Sequence, residues 1–71
     1  MHRIYFRTKF TFGDLVQFNQ DGMAGTGTIE VITIDGRGHH DYMIYIEENG
    51  MGAYQPGIEE QNITLLKAAR K

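Results

Sequence analysis

The chain of 71 residues contains no cysteine and no serine, and Pro56 is its only proline. Without cysteine, neither a disulfide framework nor a cysteine-based zinc site can stabilise so short a chain. The same two absences remove the usual Ser-His-Asp and Cys-His arrangements of nucleophilic enzymes. No apolar run approaches the roughly 18 residues of a membrane span, and the N-terminal residues do not form a signal peptide. We therefore expect one cytoplasmic domain, spanning residues 1–71, with no membrane partner.

Positive charge is scarce in the middle of the chain. Six of the seven basic residues lie within residues 1–9 and 67–71, and these are Arg3, Arg7, Lys9, Lys67, Arg70 and Lys71. The middle contains Arg37 together with all nine acidic residues. Basic ends suit the phosphates of a nucleic acid or an acidic protein, whereas the acidic middle would repel a nucleic acid. The charge pattern leaves three interpretations open: solubilising ends, an acidic protein partner and a nucleic acid.

Alternating apolar and polar residues predict β-strands along most of the chain. The first strand runs from His2 to Phe12, is interrupted at Gly13 and resumes at Leu15. The other four predicted strands are Thr26–Ile34, Tyr42–Ile46, Gly52–Pro56 and Ile63–Leu66. Pro56 should end the fourth strand because proline cannot donate to a sheet ladder. Gly57–Asn62 is too short for a stable helix and predicts a single 3₁₀ turn.

The strand pattern predicts an all-β fold, a five-stranded barrel with the 3₁₀ turn before its last strand. Closure would remove the exposed edges of so small a sheet, and Gly25 and Gly27 would permit a bulge or bend where the sheet turns. The predicted core contains Val16, Ile29, Val31, Ile44, Ile46 and Leu65, completed by Phe12 or Phe18.

Two clusters could suggest ligand chemistry. His39, His40 and Asp41, with Asp35 nearby, have the side chains that bind zinc or nickel. Adjacent histidines diverge, however, and His2 is the one candidate for a distant ligand. The glycines at 22, 25 and 27 precede a strand, whereas a phosphate-binding loop requires a helix there. We expect the histidine cluster to be a solvated hairpin tip and the three glycines to belong to a turn. We expect no metal or other cofactor.

The tyrosines are stronger candidates for a binding surface. Four phenylalanines compete for a small core, so at least one tyrosine should lie at the rim, where its ring can contact a ligand. Combined with the basic ends, this predicts a partner-binding set of Arg3, Tyr5, Arg7, Lys9, Tyr42, Tyr45, Tyr54, Lys67 and Arg70.

The order of these signals resembles that of bacterial SH3-like barrels, including the KOW and Tudor-like groups. The resemblance covers roughly residues 10 to 66 and rests on Phe12-Gly13-Asp14-Leu15-Val16, Gly25-x-Gly27-x-Ile29, Tyr42-x-Ile44-x-Ile46 and Ile58 to Leu65. The layout is also similar to that of the plasmid-type, trimethoprim-insensitive dihydrofolate reductases. In those enzymes a Val-Gln-Ile-Tyr segment lines the active pore, and the corresponding segment here is Ala53-Tyr54-Gln55-Pro56.

These observations predict a small, non-enzymatic binding module with a protein partner. The first alternative is a nucleic-acid-binding accessory protein that uses the basic ends. The second alternative is an oligomeric reductase of the plasmid type.

Overall fold

The structure is a computed structural model that describes residues 8–69. Five strands follow one another along the chain, with a 3₁₀ turn, Glu60–Asn62, before the last strand. The strands are β1 (Leu15–Gln20), β2 (Met23–Ile34), β3 (His40–Glu48), β4 (Met51–Glu59) and β5 (Ile63–Lys67). The predictions of an all-β domain and of a 3₁₀ turn before the last strand are confirmed.

The five strands form one antiparallel sheet in the order β4-β3-β2-β1-β5. The chain pairs β1 with β2, β2 with β3 and β3 with β4, and β5 returns to pair with β1. Within residues 8–69 the order of the sheet ends at β4 on one side and at β5 on the other, so both are edge strands.

Two tight turns set the register of the hairpins. Asp21 and Gly22 connect β1 to β2, and Asn49 and Gly50 connect β3 to β4. All four residues have positive φ angles, between 51° and 79°. Positive φ at both central residues produces the turn whose twist matches that of the flanking strands, and Asp-Gly and Asn-Gly are the favoured pairs for it.

The core lies on one face of the sheet, which we call the inner face. Its buried apolar residues are Phe10, Val16, Phe18, Ile29, Tyr42, Ile44, Ile58 and Ile63, with Ile32 and Ile46 partly buried against them. The predicted core members Val16, Phe18, Ile29 and Ile44 are confirmed, and Ile46 contributes at the margin.

Val31 was expected in the core, but its side chain is 42% exposed. The reason is a bulge at Glu30: Ile29 pairs with Ile44, whereas Val31 pairs with Met43. One extra residue reverses the alternation of faces, so Val31 turns outward and Ile32, opposite Tyr42, turns inward.

Leu65 and Phe12 also lie outside the core. Leu65 faces Val16 across the β1–β5 ladder but is 45% exposed, because no other strand of residues 8–69 pairs with the far side of β5. Phe12 lies in the turn before β1 and is 60% exposed. Phe10 occupies the core instead, with its ring edge-on to that of Tyr42 at 5.5 Å.

The predicted strand from His2 to Phe12 falls mostly outside the described residues. The part that is described, residues 8–12, contains no strand. Gly13, at φ 87°, turns the chain into β1. Its N–H donates to the carbonyl of Ile29, and the carbonyl of Asp14 accepts from the N–H of Ile29.

Pro56 does not end the fourth strand as expected. β4 continues to Glu59, because Pro56 and Gly57 together lie opposite Met43 in a bulge between the Ile44–Gln55 and Tyr42–Ile58 pairs. A bulge on an edge strand is one of the few places in a sheet that accept proline.

Gly25 and Gly27 do not mark a bulge, because both pair regularly with β1, opposite Phe18 and Val16. They permit close packing instead. A Cβ atom on Gly27 would collide with the carbonyl oxygen of Tyr45, and one on Gly25 would lie 2.8 Å from the ring of Phe18.

Two polar side chains hold distant parts of the sheet together. Gln20, at the end of β1, donates from Nε2 to the carbonyl of Gly57 at 2.8 Å and accepts the N–H of Glu59 at 2.7 Å. The buried carboxylate of Asp14 accepts the N–H of Thr11 at 2.9 Å and that of Ala69 at 2.7 Å. Gln20 therefore joins β1 to β4. Asp14 joins the two segments that flank the sheet, the one before β1 that contains Thr11 and the one after β5 that contains Ala69.

Candidate functional site

A line of directly opposed residues crosses all five strands on the outer face of the sheet, the face opposite the core. Following the order of the strands, the line consists of Lys67, Leu15, Thr28, Tyr45 and Tyr54, and we call it the outer row. Directly opposed side chains project to the same face of a sheet. Leu15 lies on the outer face because its neighbour Val16 is buried in the core.

Two tyrosines form the aromatic end of the outer row. The ring centroids of Tyr45 and Tyr54 are 5.1 Å apart, with an interplanar angle of 54°. Tyr45 lies over Gly52, where an added Cβ atom would meet its hydroxyl. Tyr54 is 60% exposed, so the ring of Tyr45 supports that of Tyr54 while the ring of Tyr54 remains accessible to a ligand.

A shallow groove of about 430 Å³ runs beside the tyrosine pair. It is lined by Leu15, Thr26, Gly27, Thr28, Tyr45 and Glu47. Gly27 lines the groove with its backbone alone, since it has no side chain and is opposed to buried Val16 on the inner face. The groove therefore combines an aromatic wall, threonine hydroxyls and one carboxylate.

A second cavity, of about 440 Å³, lies at the start of β3 and beside the 3₁₀ turn. It is lined by Lys9, Gly38, His39, His40, Glu59, Glu60 and Gln61. Here Oε2 of Glu60 accepts two hydrogen bonds, from the Tyr42 hydroxyl at 2.5 Å and from the Lys9 backbone N–H at 2.9 Å. The cavity is polar and carries both signs of charge.

The Tyr42–Glu60 hydrogen bond changes the proton affinity of both groups. Burial and this hydrogen bond raise the pKa of Tyr42 to about 12. Burial alone would raise the pKa of Glu60, but the hydrogen bonds from Tyr42 and Lys9 outweigh that effect and hold it below its usual value. At neutral pH the pair is thus a neutral phenol that donates to a carboxylate, which is a structural contact.

The loop of residues 35–39 is organised by Asp35. Its Oδ1 accepts the backbone N–H of Arg37 at 2.8 Å and that of His39 at 3.0 Å. These two bonds lower the pKa of Asp35. His39 Nε2 lies 3.4 Å from Asp41 Oδ1, but the described residues contain no group of three or more possible ligands arranged to hold a metal ion.

The structure brings together part of the predicted partner-binding set. Tyr45, Tyr54 and Lys67 lie in the outer row, whereas Lys9 lies in the second cavity beside Glu59 and Glu60. Tyr42 was predicted to bind a partner, but it is only 1% exposed and belongs to the core, so its ring is not on the binding surface. The remaining members, Arg3, Tyr5, Arg7 and Arg70, lie outside the described residues.

Sequence reasoning did not identify Leu15 and Thr28 as members of this surface. The available signal was positional: counting outward from the two tight turns opposes Tyr45 to Tyr54 and Leu15 to Thr28. Two links remain, from β2 to β3 and from β1 to β5. Each lies beside a register shift, at Glu30 and between Leu15 and Val16, and could not be counted from the sequence.

No helix in residues 8–69 is both long enough and apolar enough to cross a membrane. Comparison with known proteins gives no match, whether to a protein-family model, to a curated protein or to a solved structure.

Proposed function

We propose that this protein is a small, non-enzymatic module that binds a segment of another protein along its outer row. The observation that carries the proposal is the pair formed by half-buried Tyr45 and exposed Tyr54, beside a groove on the face of the sheet opposite the core. Paired tyrosines supply a large, rigid contact area at low entropic cost, which is why they are enriched in protein interfaces.

The fold that presents this surface is, in our proposal, an SH3-like barrel. The supporting observations are the strand order, the 3₁₀ turn before β5 and the bonds from Gln20 to Gly57 and Glu59. A primary amide can both donate and accept, as a peptide group does. Gln20 thereby brings the end of β1 against β4, two strands that share no ladder among the described residues.

The charges around the outer row favour a protein over a nucleic acid. Tyrosine rings near a lysine could also stack with bases, but Glu47 lines the groove and Lys67 is the only basic member of the row. Lys9, the other described member of the basic ends, lies beside two glutamates. A phosphate backbone would therefore meet carboxylates, whereas a protein segment with a positive charge would meet Glu47 favourably.

The proposal is tested by comparing Tyr54→Ala with Phe12→Ala as baits in a pull-down from nuclease-treated lysate of the native host. Both side chains are aromatic and 60% exposed, but only Tyr54 belongs to the outer row. We expect Tyr54→Ala to lose a protein that the parent and Phe12→Ala both retain, and direct titration with that purified protein to show the same loss. Equal retention by all three baits would contradict the assigned surface.

The alternative functions give different results. If the basic ends bind nucleic acid, the affinity for random DNA falls steeply with salt, and replacing Arg3, Arg7 and Lys9 with glutamine flattens that slope. If the chain is a reductase, reduced nicotinamide cofactor is consumed in the presence of dihydrofolate. Either result would overturn the assignment of a protein-binding module.

A further inference from the structure

The β3–β4 hairpin extends beyond the core. Every residue from 47 to 54 is exposed, including Met51 at 76%. In β4 the only buried side chain is that of Ile58. An isolated two-stranded ribbon is only marginally stable in water. This end of the hairpin therefore has little packing of its own.

Among residues 8–69, no strand pairs with the outward side of β4 over residues 51–55. Natural edge strands usually carry charges, proline or a bulge that prevents pairing with another chain. No charged residue occurs from Asn49 to Ile58, and Pro56 with its bulge lies beyond this segment. Gln20 hydrogen-bonds to Gly57 and Glu59, so it covers the edge of β4 from Gly57 onward. Residues 51–55 are not covered by it.

We propose that β4 pairs with β4 of a second copy of this chain, antiparallel about a two-fold axis at Ala53. In that register Ala53 faces Ala53 of the second copy, Gly52 faces Tyr54 and Met51 faces Gln55. Each pair joins residues of the same face of the sheet, because Gly52 and Tyr54 lie on the outer face and Met51, Ala53 and Gln55 on the inner face. Each bulky outer side chain is thus opposed by a glycine.

Charge distinguishes a second copy of β4 from the other edge strand as the partner. Self-pairing of β4 brings no charged residue into the paired segment. In contrast, β5 ends in Lys67, and a lysine on an edge strand discourages pairing with another chain. Glu47 and Glu48 lie on β3, so the acids of the two copies are separated by three strand spacings, roughly 14 Å. That separation exceeds the screening length of about 8 Å at physiological ionic strength.

A cavity on the inner face adds apolar area to the same interface. It has a volume of about 320 Å³ and is lined by Ile46, Glu48, Asn49, Met51, Gly52 and Ala53. A second hairpin beside β4 would place its own Ala53 and Gln55 along this cavity, opposite Ala53 and Met51. The pairing would also produce a continuous ten-stranded sheet, with the two outer rows meeting at their tyrosine ends.

The absence of cysteine makes single-cysteine variants clean reporters of this register. Directly opposed residues in an antiparallel pair have Cα atoms about 4.5 or 5.5 Å apart, and both distances allow a disulfide. We expect Ala53→Cys to form a disulfide-linked dimer under mild oxidation. Thr64→Cys, at an exposed position on β5, is the control and should remain largely reduced under the same conditions.

Sedimentation equilibrium of the parent chain tests the same proposal without a cross-link. We expect a monomer–dimer equilibrium that salt does not weaken, and Ala53→Lys should raise the dissociation constant by at least about tenfold, because it places like charges opposite each other. Thr64→Lys should leave the constant unchanged. A monomer at millimolar concentration, equal cross-linking at both cysteine positions, or insensitivity to Ala53→Lys would overturn the proposal. No binding partner is present in these measurements, so their outcome is independent of the proposed function.

Discussion

The hydroxyl of Tyr42 donates to Oε2 of Glu60 at 2.5 Å, across 18 positions of the sequence. The same oxygen accepts the backbone N–H of Lys9, and the Tyr42 oxygen lies 3.4 Å from the N–H of Phe10. One buried phenol thus connects the core to the 3₁₀ turn and to the segment before β1. Removing either side chain should loosen all three.

At alkaline pH the ionisation of Tyr42 should destabilise the fold. The raised pKa means that the folded state prefers the neutral phenol, so the stabilisation is present below pH 10 and is lost as the pH rises towards about 12. The difference between the two values corresponds to roughly 2–3 kcal/mol. Urea unfolding between pH 8 and 11.5 should show a steeper loss for the parent than for Tyr42→Phe. The exposed Tyr54→Phe variant is the control, and a profile for Tyr42→Phe that parallels the parent would refute this account.

At acidic pH the carboxylate of Glu60 should have the opposite effect. Its pKa is lowered in the folded state, so its contribution is present above the ordinary value of 4.5 and is lost as the pH falls below it. The free energy of unfolding of the parent should therefore converge on that of Glu60→Gln as the pH falls from 6 to 3. Glu48→Gln, which changes an exposed glutamate, is the charge-matched comparison, and it should not reproduce this convergence.

Two aliphatic positions should respond very differently to truncation. Ile44 is fully buried, and Ile44→Ala should reduce the free energy of unfolding by about 2–4 kcal/mol. Val31 faces outward after the bulge, so Val31→Ala should cost less than about 1 kcal/mol. Thermal and urea denaturation measure both. Equal losses would mean that the bulge at Glu30 is misplaced.

The amide of Gln20 should stabilise the sheet more than its partial exposure suggests. It makes three hydrogen bonds, to Gly57, Glu59 and Asn62, each worth about 0.5–1.5 kcal/mol. Gln20→Ala should therefore cost roughly 2–3 kcal/mol. Gln17→Ala, an exposed position on the same strand, should cost less than about 0.5 kcal/mol. If the two variants melt together, the contact between β1 and β4 contributes nothing to stability.

The sequence predicted the strands that alternate over a regular ladder. Leu15–Phe18, Tyr42–Ile46 and Ile63–Leu66 all fall inside observed strands, because the alternation of Tyr42 and Ile44 against Met43 and Tyr45 matches the two faces of β3. The tight turn at Asp21-Gly22 could also be predicted, because the residue pair itself favours the turn without any tertiary contact.

The errors occur where tertiary contacts change the phase of the pattern. A bulge at Glu30 exchanges the faces of Val31 and Ile32, and the residues around it in the sequence do not predict it. Phe10 and Phe12 alternate as in a strand, yet only Phe10 reaches the ring of Tyr42. The outer row depends on the same registers, so the sequence could suggest Tyr54 as a surface ring but not its place beside Leu15 and Thr28.

The carboxylate of Asp14 brings the segment before β1 next to the segment after β5. It holds the backbone N–H groups of Thr11 and Ala69 side by side, although 58 positions separate them in the sequence. The two segments are therefore close enough in space to be joined directly. A circularly permuted chain, with the two flanking segments joined by a short glycine linker and a new opening between Asn49 and Gly50, should form the same sheet.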